Sequence, residues 1–264
     1  MDKLNAYYEA YSEDLRLIKD NAHKTEFITT VNILRDFIEP NYKILDVGAG
    51  TGRFSFYLAE KGHTVTALEY ARHNVELMQD KLLNHEAELS LRILQGDGRD
   101  LSLFEDGCFD TVLCMGPIYH LESEGERRQC LKECLRVLKN GGFIAISYIN
   151  KFASFLEFMK RDKEFIKNRA SESLIDYGYM HGDDRDIFYF TTPSDIEELL
   201  KAFGVEIIIN AATDGIGYLF KDVVNELDEE GYGRWLDYHM KTCSEPSLLG
   251  YSMHGLLLCR KPIR

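Results

Sequence analysis

The sequence of 264 residues has no apolar run that approaches the roughly 20 residues needed to span a membrane. Its first residues, 1–8, lack the apolar core of a signal peptide, so we expect a cytoplasmic protein. Repeats and low-complexity tracts are also absent. What remains is a globular composition and a length that can bury one sizeable core, and we interpret residues 1–264 as a single domain.

Positive charge is scarce. The chain has 31 Lys and Arg against 44 Asp and Glu, for a net charge of −13. This balance disfavours an extended phosphate backbone as a partner. We therefore expect a small-molecule substrate, no nucleic acid and no membrane, and a monomer or homodimer.

Metal-binding patterns are missing as well. The six cysteines form no C-x-x-C pair, which disfavours a zinc site, and no acidic cluster suited to a divalent metal stands out. Cys130 and Cys134 are one helical turn apart, so we expect them to face a common core. A thiol site for a soft metalloid is the alternative.

The strongest pattern in the chain lies in residues 43–53, KILDVGAGTGR. A short apolar run that ends in an acid and then meets three alternate glycines predicts a buried strand, a sharp turn and a helix. The spacing is one residue shorter than the dinucleotide fingerprint G-x-G-x-x-G. Because Asp46 at the strand end would repel a phosphate, we expect it to hold a cationic or ammonium-bearing ligand instead.

This stretch resembles the D-x-G-x-G-x-G signature of class I S-adenosylmethionine (SAM) methyltransferases, of the small bacterial kind that acts on metabolites. A second motif, LRVLKNGG at 135–142, is similar to the L-x-x-L-K-P-G-G turn of the same family. The resemblance covers residues 26–150 firmly. It implies an α/β fold with a seven-stranded, Rossmann-like, doubly wound sheet in the order 3-2-1-4-5-7-6, whose last strand is antiparallel.

The segments outside the family motifs predict accessory structure. Residues 1–25 are interpreted as an N-terminal helical lid, with Tyr11, Arg16 or His23 near the ligand. Residues 151–192 are interpreted as a cap inserted after strand five, helical to Arg169 and without periodicity from 171 to 190. A helix is predicted over 222–241.

Acidic residues follow each of the next two predicted strands. Glu69 lies 21 residues beyond Gly48, a spacing at which an acid reaches ribose hydroxyls in such folds. The resemblance implies that Asp97 accepts a hydrogen bond from the adenine amino group, while Asp100 is expected to cap a helix or a turn. The full expected cofactor set is Asp46, Gly48, Ala49, Gly50, Gly52, Glu69, Tyr70, Asp97, Gly98, Met115, Gly116 and Tyr11.

The loop after strand four should border the transferable methyl group, because ligands of doubly wound sheets lie beyond the carboxyl ends of the strands. His120 is the first candidate for a general base and Tyr119 the second. The alternative is that Tyr119 packs under a helix and His120 binds backbone. For the substrate we expect Tyr119, Tyr179, His181 and Tyr189 to line a pocket. The alternative is that the aromatic residues of the cap only seal it onto the sheet.

The function that the resemblance implies is SAM-dependent methyl transfer to N, O or S of a small molecule, with S-adenosylhomocysteine (SAH) as the product. The absence of an Asn/Asp-Pro-Pro-Tyr motif argues against N-methylation of nucleic acid. Two alternatives stay open. The chain could bind SAM without transfer, as a sensor or scaffold, or it could be an NAD-linked oxidoreductase, which the shortened loop and Asp46 disfavour.

Overall fold

The computed structural model describes residues 2–10, 13–183 and 186–263. In this part of the chain, eight strands join in one sheet. Their bounds are β1 Lys43–Val47, β2 Thr64–Glu69, β3 Leu91–Gln95, β4 Phe109–Cys114, β5 Leu138–Asn150, β6 Phe190–Thr191, β7 Glu206–Ala212 and β8 His254–Arg260.

The strand order is β3-β2-β1-β4-β5-β8-β7, and the two-residue β6 pairs with the end of β5. The strands from β1 to β5 are parallel, whereas β8 is antiparallel to both of its neighbours. The predicted order and the antiparallel last strand are therefore confirmed, with β6 as an addition that the sequence pattern did not indicate.

Helices cover both faces of the sheet. Neighbouring residues of β1 point to opposite sides, so that Ile44 joins one buried apolar cluster and Leu45 the other. The α-helices are α1 Asp2–Ala10, α2 Asn21–Arg35, α3 Arg53–Glu60, α4 Arg72–Leu83, α5 Pro117–His120, α6 Glu124–Val137, α7 Lys151–Arg161, α8 Arg169–Tyr177, α9 Pro193–Lys201, α10 Lys221–Asn225 and α11 Glu229–Thr242. Short 3₁₀ helices are η1 Glu13–Ile18, η2 Lys163–Lys167 and η3 Leu249–Tyr251. Among the described residues, no helix is both long and apolar enough to cross a membrane.

The cap differs from its prediction. The expected single helix to Arg169 stops at Arg161, because Asp162 adopts an extended conformation and its side chain caps η2. The segment expected to lack periodicity instead contains α8. Asn168 caps the start of that helix, and Gly178 ends it in the left-handed conformation.

Two further boundaries differ. β5 begins at Leu138, directly after α6, so the predicted turn at 140–142 lies inside the strand. The helix expected over 222–241 is divided into α10 and α11. Asp228 is extended between them, and its carboxylate accepts a hydrogen bond from the amide of Gly231. Capping by the Asp228 side chain thus decides the break between α10 and α11.

Candidate active site

The glycine loop follows β1 and packs against the loop that follows β4. Gly48 has φ 73°, a conformation that L side chains rarely adopt, and a Cβ there would lie 2.6 Å from Cδ of Pro117. The amides of Gly48 and Ala49 both donate to the carbonyl of Leu68, at 2.8 and 3.1 Å. Glycine is thus required for the two loops to meet at the carboxyl edge of the sheet.

A cleft of about 970 Å³, part of it open to solvent, lies at this edge. Most of the expected cofactor residues line it. The predicted residues in its wall are Gly48, Ala49, Gly50, Glu69, Tyr70, Asp97, Gly98, Met115 and Gly116. Tyr119 and His120 also line the cleft. Residues that are far apart in the chain, and that the sequence patterns singled out, therefore meet at this cleft.

Asp46 and Gly52 do not line the cleft, in contrast to the prediction. Asp46 is buried beneath the loop, where the hydroxyl of Ser55 donates to its Oδ2 at 2.6 Å. Burial raises the pKa of Asp46 to about 6, although the Ser55 bond lowers it. Its Oδ1 has no hydrogen-bond partner among the described residues. Gly52 is the N-cap of α3 and faces Phe56 and Met78.

Glu69 occupies the end of β2, as predicted, and its carboxylate ties the loop to that strand. Oε2 accepts from the amide of Gly50 and Oε1 from the amide of Ala71, both at 2.8 Å. Burial raises the pKa of Glu69 to about 7, and these amide bonds offset only part of that effect. The side chain holds the loop and lines the cleft at the same time.

Asp97 lines the cleft but already has a strong partner that the sequence did not indicate. Nε of Arg99 lies 3.0 Å from each of its carboxylate oxygens, and Nη2 lies 2.5 Å from Oδ2. Burial opposes ionisation of Asp97, yet Arg99 outweighs it and lowers the pKa. The competing acid Asp100 accepts from the amide of Ser102 at 3.0 Å, the turn role expected for it.

His120 contacts the N-terminal helix, which sequence reasoning missed. Its Nε2 lies 2.8 Å from the hydroxyl of Tyr8, and its Nδ1 lies 3.3 Å from the carbonyl of Ile187. A carbonyl can only accept, so Nδ1 carries the proton and Tyr8 donates to Nε2. Burial lowers the pKa of His120 to about 4, which keeps the ring neutral. The hydroxyl of Tyr119 donates to the carbonyl of Met115 at 2.6 Å.

The segment expected to be a lid contributes to the cleft wall. Leu4, Tyr8, Asp14, Arg16 and Leu17 line it, and Lys81 connects Asp14 with the carbonyl of Thr51 in the glycine loop.

Of the three lid residues predicted near the ligand, Arg16 is in the wall. His23 instead binds Asp20 and packs on Tyr218. Tyr11 lies outside the described residues.

A second cavity adjoins the cleft and shares Tyr8, Arg16 and Tyr119 with it. The other predicted substrate residues, Tyr179, His181 and Tyr189, line neither cavity.

Tyr179 and Tyr189 contact Arg127 instead. This guanidinium donates to the hydroxyl of Tyr179 at 2.8 Å and lies 3.7 Å from the ring centroid of Tyr189. His181 stacks on Tyr179. The contacts with the buried guanidinium thus hold the two tyrosine rings outside the cavity.

Cys130 and Cys134 face the same core, as predicted, and Cys114 from β4 joins them. The three sulfur atoms lie within 4.8 Å of one another and are fully buried.

Comparisons with known proteins agree with this architecture. A methyltransferase domain family matches residues 45–146. The Bacillus subtilis protein YqeM, named as a methyltransferase, is 32% identical over 111 residues, which are 42% of this chain and 43% of that protein. The ubiquinone biosynthesis O-methyltransferase of Xanthomonas euvesicatoria is 26% identical over 62% of this chain and 63% of its own length. The chain thus matches about half the length of these relatives.

A solved structure shows the same fold over a larger share of the chain. The 1,6-didemethyltoxoflavin-N1-methyltransferase of Burkholderia thailandensis, solved with bound SAH, superposes with a TM-score of 0.58 at 15% identity, over 99% of this chain and 88% of the other. Residues 45–146 thus match a methyltransferase domain family, and the strand order of the described residues agrees with the fold of the solved methyltransferase structure.

Proposed function

We propose that the chain transfers a methyl group from SAM to N, O or S of a small molecule. The observation that carries this proposal is the junction of two cavities at Tyr8, Arg16 and Tyr119. One cavity is formed by the glycine loop and the strand ends, and the other is walled by the cap and the lid. A two-substrate transfer requires two ligands to meet at one point.

The chemistry of the first cavity supports SAM and argues against a dinucleotide. In a pyrophosphate-binding loop, free backbone amides face the anion. Here the amides of Gly48 and Ala49 donate to Leu68, and that of Gly50 donates to the Glu69 carboxylate. A pyrophosphate would meet a carboxylate at this part of the loop, which disfavours the oxidoreductase alternative.

The residues of the cleft fit a ligand with an amino group, a sulfonium and a ribose. Asp14, Glu69 and Asp97 supply carboxylates in its wall. Beneath the loop, Asp46 has a buried oxygen without a partner among the described residues. Glu69 would accept from the ribose hydroxyls, Asp97 would face the adenine, and Asp46 would favour the cation through its charge. SAM, when bound, supplies a methyl group on a positively charged sulfur.

The protein's own groups would then orient the acceptor, exclude water and accept a proton where one must leave. His120 presents an unprotonated Nε2 to Tyr8, so a proton from an acceptor would reach it through, or in place of, the Tyr8 hydroxyl. With a pKa of about 4, this histidine is a weak base, suited to an acceptor that is already deprotonated or readily loses its proton. Tyr119, whose hydroxyl donates to the carbonyl of Met115, would help to orient the acceptor.

The experiment that tests the proposal is calorimetric titration of the full chain with SAM and with SAH, followed by mass spectrometry of metabolite extracts incubated with SAM. Binding of both, with a methylated product, supports a methyltransferase. Binding of both with no product from any extract favours the sensor or scaffold alternative. Binding of neither would contradict both. The cytoplasmic location, the monomeric or homodimeric state, the single-domain organisation and the absence of a nucleic-acid partner stay predictions.

A further inference from the structure

The second cavity has a composition that points to a class of acceptor. Its volume is about 910 Å³, part of it open to solvent, and it lies between the cap, the lid and the start of β8. We refer to it as the acceptor cavity, and most of its wall is aromatic. Phe188 from the cap lies edge-on to Tyr7 of the lid, with ring centroids 5.6 Å apart. Such a wall favours the binding of a flat apolar molecule.

The ionisable groups of Arg16, Arg161 and His254 in this wall are all basic. Among the described residues, no carboxylate lines the cavity. This is unexpected in a chain with a net charge of −13. A wall that combines aromatic rings with guanidinium groups suits an aromatic or flat apolar anion.

Buried carboxylates bind two of these basic groups. Glu26 binds Arg16 at 2.6 Å, and Asp214 binds Nδ1 of His254 at 2.7 Å. Burial lowers the pKa of His254, but the charges of Glu26 and Asp214 outweigh that effect and raise it. This group therefore holds Arg16 rigidly at the boundary between the cavities.

Arg161, at the end of α7, shares its carboxylate partner with a second cation. Its Nε donates to the buried Glu157 at 2.8 Å, and Lys221 binds the same carboxylate at 2.9 Å. Two cations thus share one carboxylate, and the Nη groups of Arg161 have no partner within residues 2–10, 13–183 and 186–263. Because Arg161 is half exposed at the end of α7, it lies where a ligand can reach it from solvent. Arg161 and Lys221 together therefore carry one more positive charge than Glu157 balances.

We propose that the acceptor cavity binds an aromatic or flat apolar molecule with an anionic group, and that Arg161 binds that group while Arg16 borders the methyl-transfer point. The inference rests on the proposed function for its biological meaning. Binding itself requires no methyl transfer, so the two can fail separately.

The test uses a pair of probes of matched shape, 2-naphthoate and the neutral 2-naphthamide, titrated into the full chain without SAM and followed by calorimetry. We expect 2-naphthoate to bind at least about tenfold more tightly, because a charge-assisted hydrogen bond is lost with the amide. Arg161→Gln should remove that preference and leave 2-naphthamide binding unchanged, whereas Arg161→Lys should retain part of it.

Arg234→Gln is the matched control, since Arg234 is exposed on α11 and pairs only with Glu230 among the described residues. Thermal melting would verify that each variant is folded. Equal affinity for the two probes, binding of neither, or an unchanged preference in Arg161→Gln would overturn the inference. Probe binding with the expected preference, but no binding of SAM or SAH, would preserve this inference and contradict the proposed function.

Discussion

The hydroxyl of Tyr8 donates a 2.8 Å hydrogen bond to Nε2 of His120, between residues 112 positions apart in the chain. Tyr8 belongs to the N-terminal helix α1, and His120 is the last residue of the short helix α5, which follows β4. The bond therefore fastens α1 over the point where the cleft and the acceptor cavity meet. The position of α1 is thereby linked to the side chain of His120.

Tyr8→Phe removes this bond and keeps the ring. We expect faster amide hydrogen exchange in residues 2–10, by about three- to tenfold, because a neutral hydrogen bond contributes about 1 kcal/mol. Hydrogen exchange with mass spectrometry measures this directly. Tyr177→Phe, at an exposed position of α8, is the control. Unchanged exchange in α1 would show that Tyr8 does not fasten it.

Glu69→Ala should weaken SAM and SAH binding alike, by about ten- to a hundredfold. The substitution removes the expected acceptor for the ribose hydroxyls, which both ligands carry, and releases the Gly50 amide. Calorimetry on both ligands measures the loss. Glu230→Ala, at an exposed position of α11, should leave both affinities unchanged. A loss confined to one ligand would assign Glu69 a different role.

Asp46→Asn should change the pH dependence of stability. The pKa of Asp46 in the folded protein, about 6, lies above its ordinary value of 3.8, so the folded state holds an extra proton between these values. Its contribution to stability is present at low pH and is lost as the pH rises through 6. Relative to the wild type, the variant should gain about 1 kcal/mol between pH 5 and pH 8 in urea unfolding.

The same Asp46→Asn variant tests the ionic role of the residue. If the Asp46 carboxylate favours a cationic ligand, the variant should bind SAM about tenfold more weakly at pH 8, where the wild-type group is ionised. Ser55→Ala, which removes the hydroxyl on Oδ2 but keeps the charge, serves as the comparison. An unchanged SAM affinity in Asp46→Asn would contradict the prediction.

Arg127→Met should reduce the free energy of unfolding by about 2–3 kcal/mol without altering SAM binding. Arg127 is buried, donates to the carbonyl of Leu121 at 2.8 Å and stacks on Tyr189. Urea unfolding measures the effect. Its neighbour Arg128 is exposed and pairs with Glu124, so Arg128→Met should change stability by less than about 0.5 kcal/mol. Equal effects of the two substitutions would exclude a structural role for the Arg127 cluster.

The amino-acid sequence by itself was sufficient for the sheet and the edge that carries the cleft. Short apolar runs, a glycine loop after β1 and acids after β2 and β3 are local patterns, and the carboxyl ends of parallel strands must meet at one edge. For this reason Gly48, Glu69 and Asp97 could be placed together before any coordinates were known.

Only the tertiary structure decided which side chains take which partner. Asp46 lies beneath the loop because α3 brings Ser55 against it, and Asp97 is held by Arg99. Two tyrosines of the cap, Tyr179 and Tyr189, contact Arg127. His120 finds Tyr8 only because α1 returns over the loop after β4. Each of these outcomes depends on the direction of a side chain and on a competing partner, often distant in the chain. Residue spacing specifies the periodicity of a strand or helix, but it contains no information on which of several polar groups will be nearest once the elements pack.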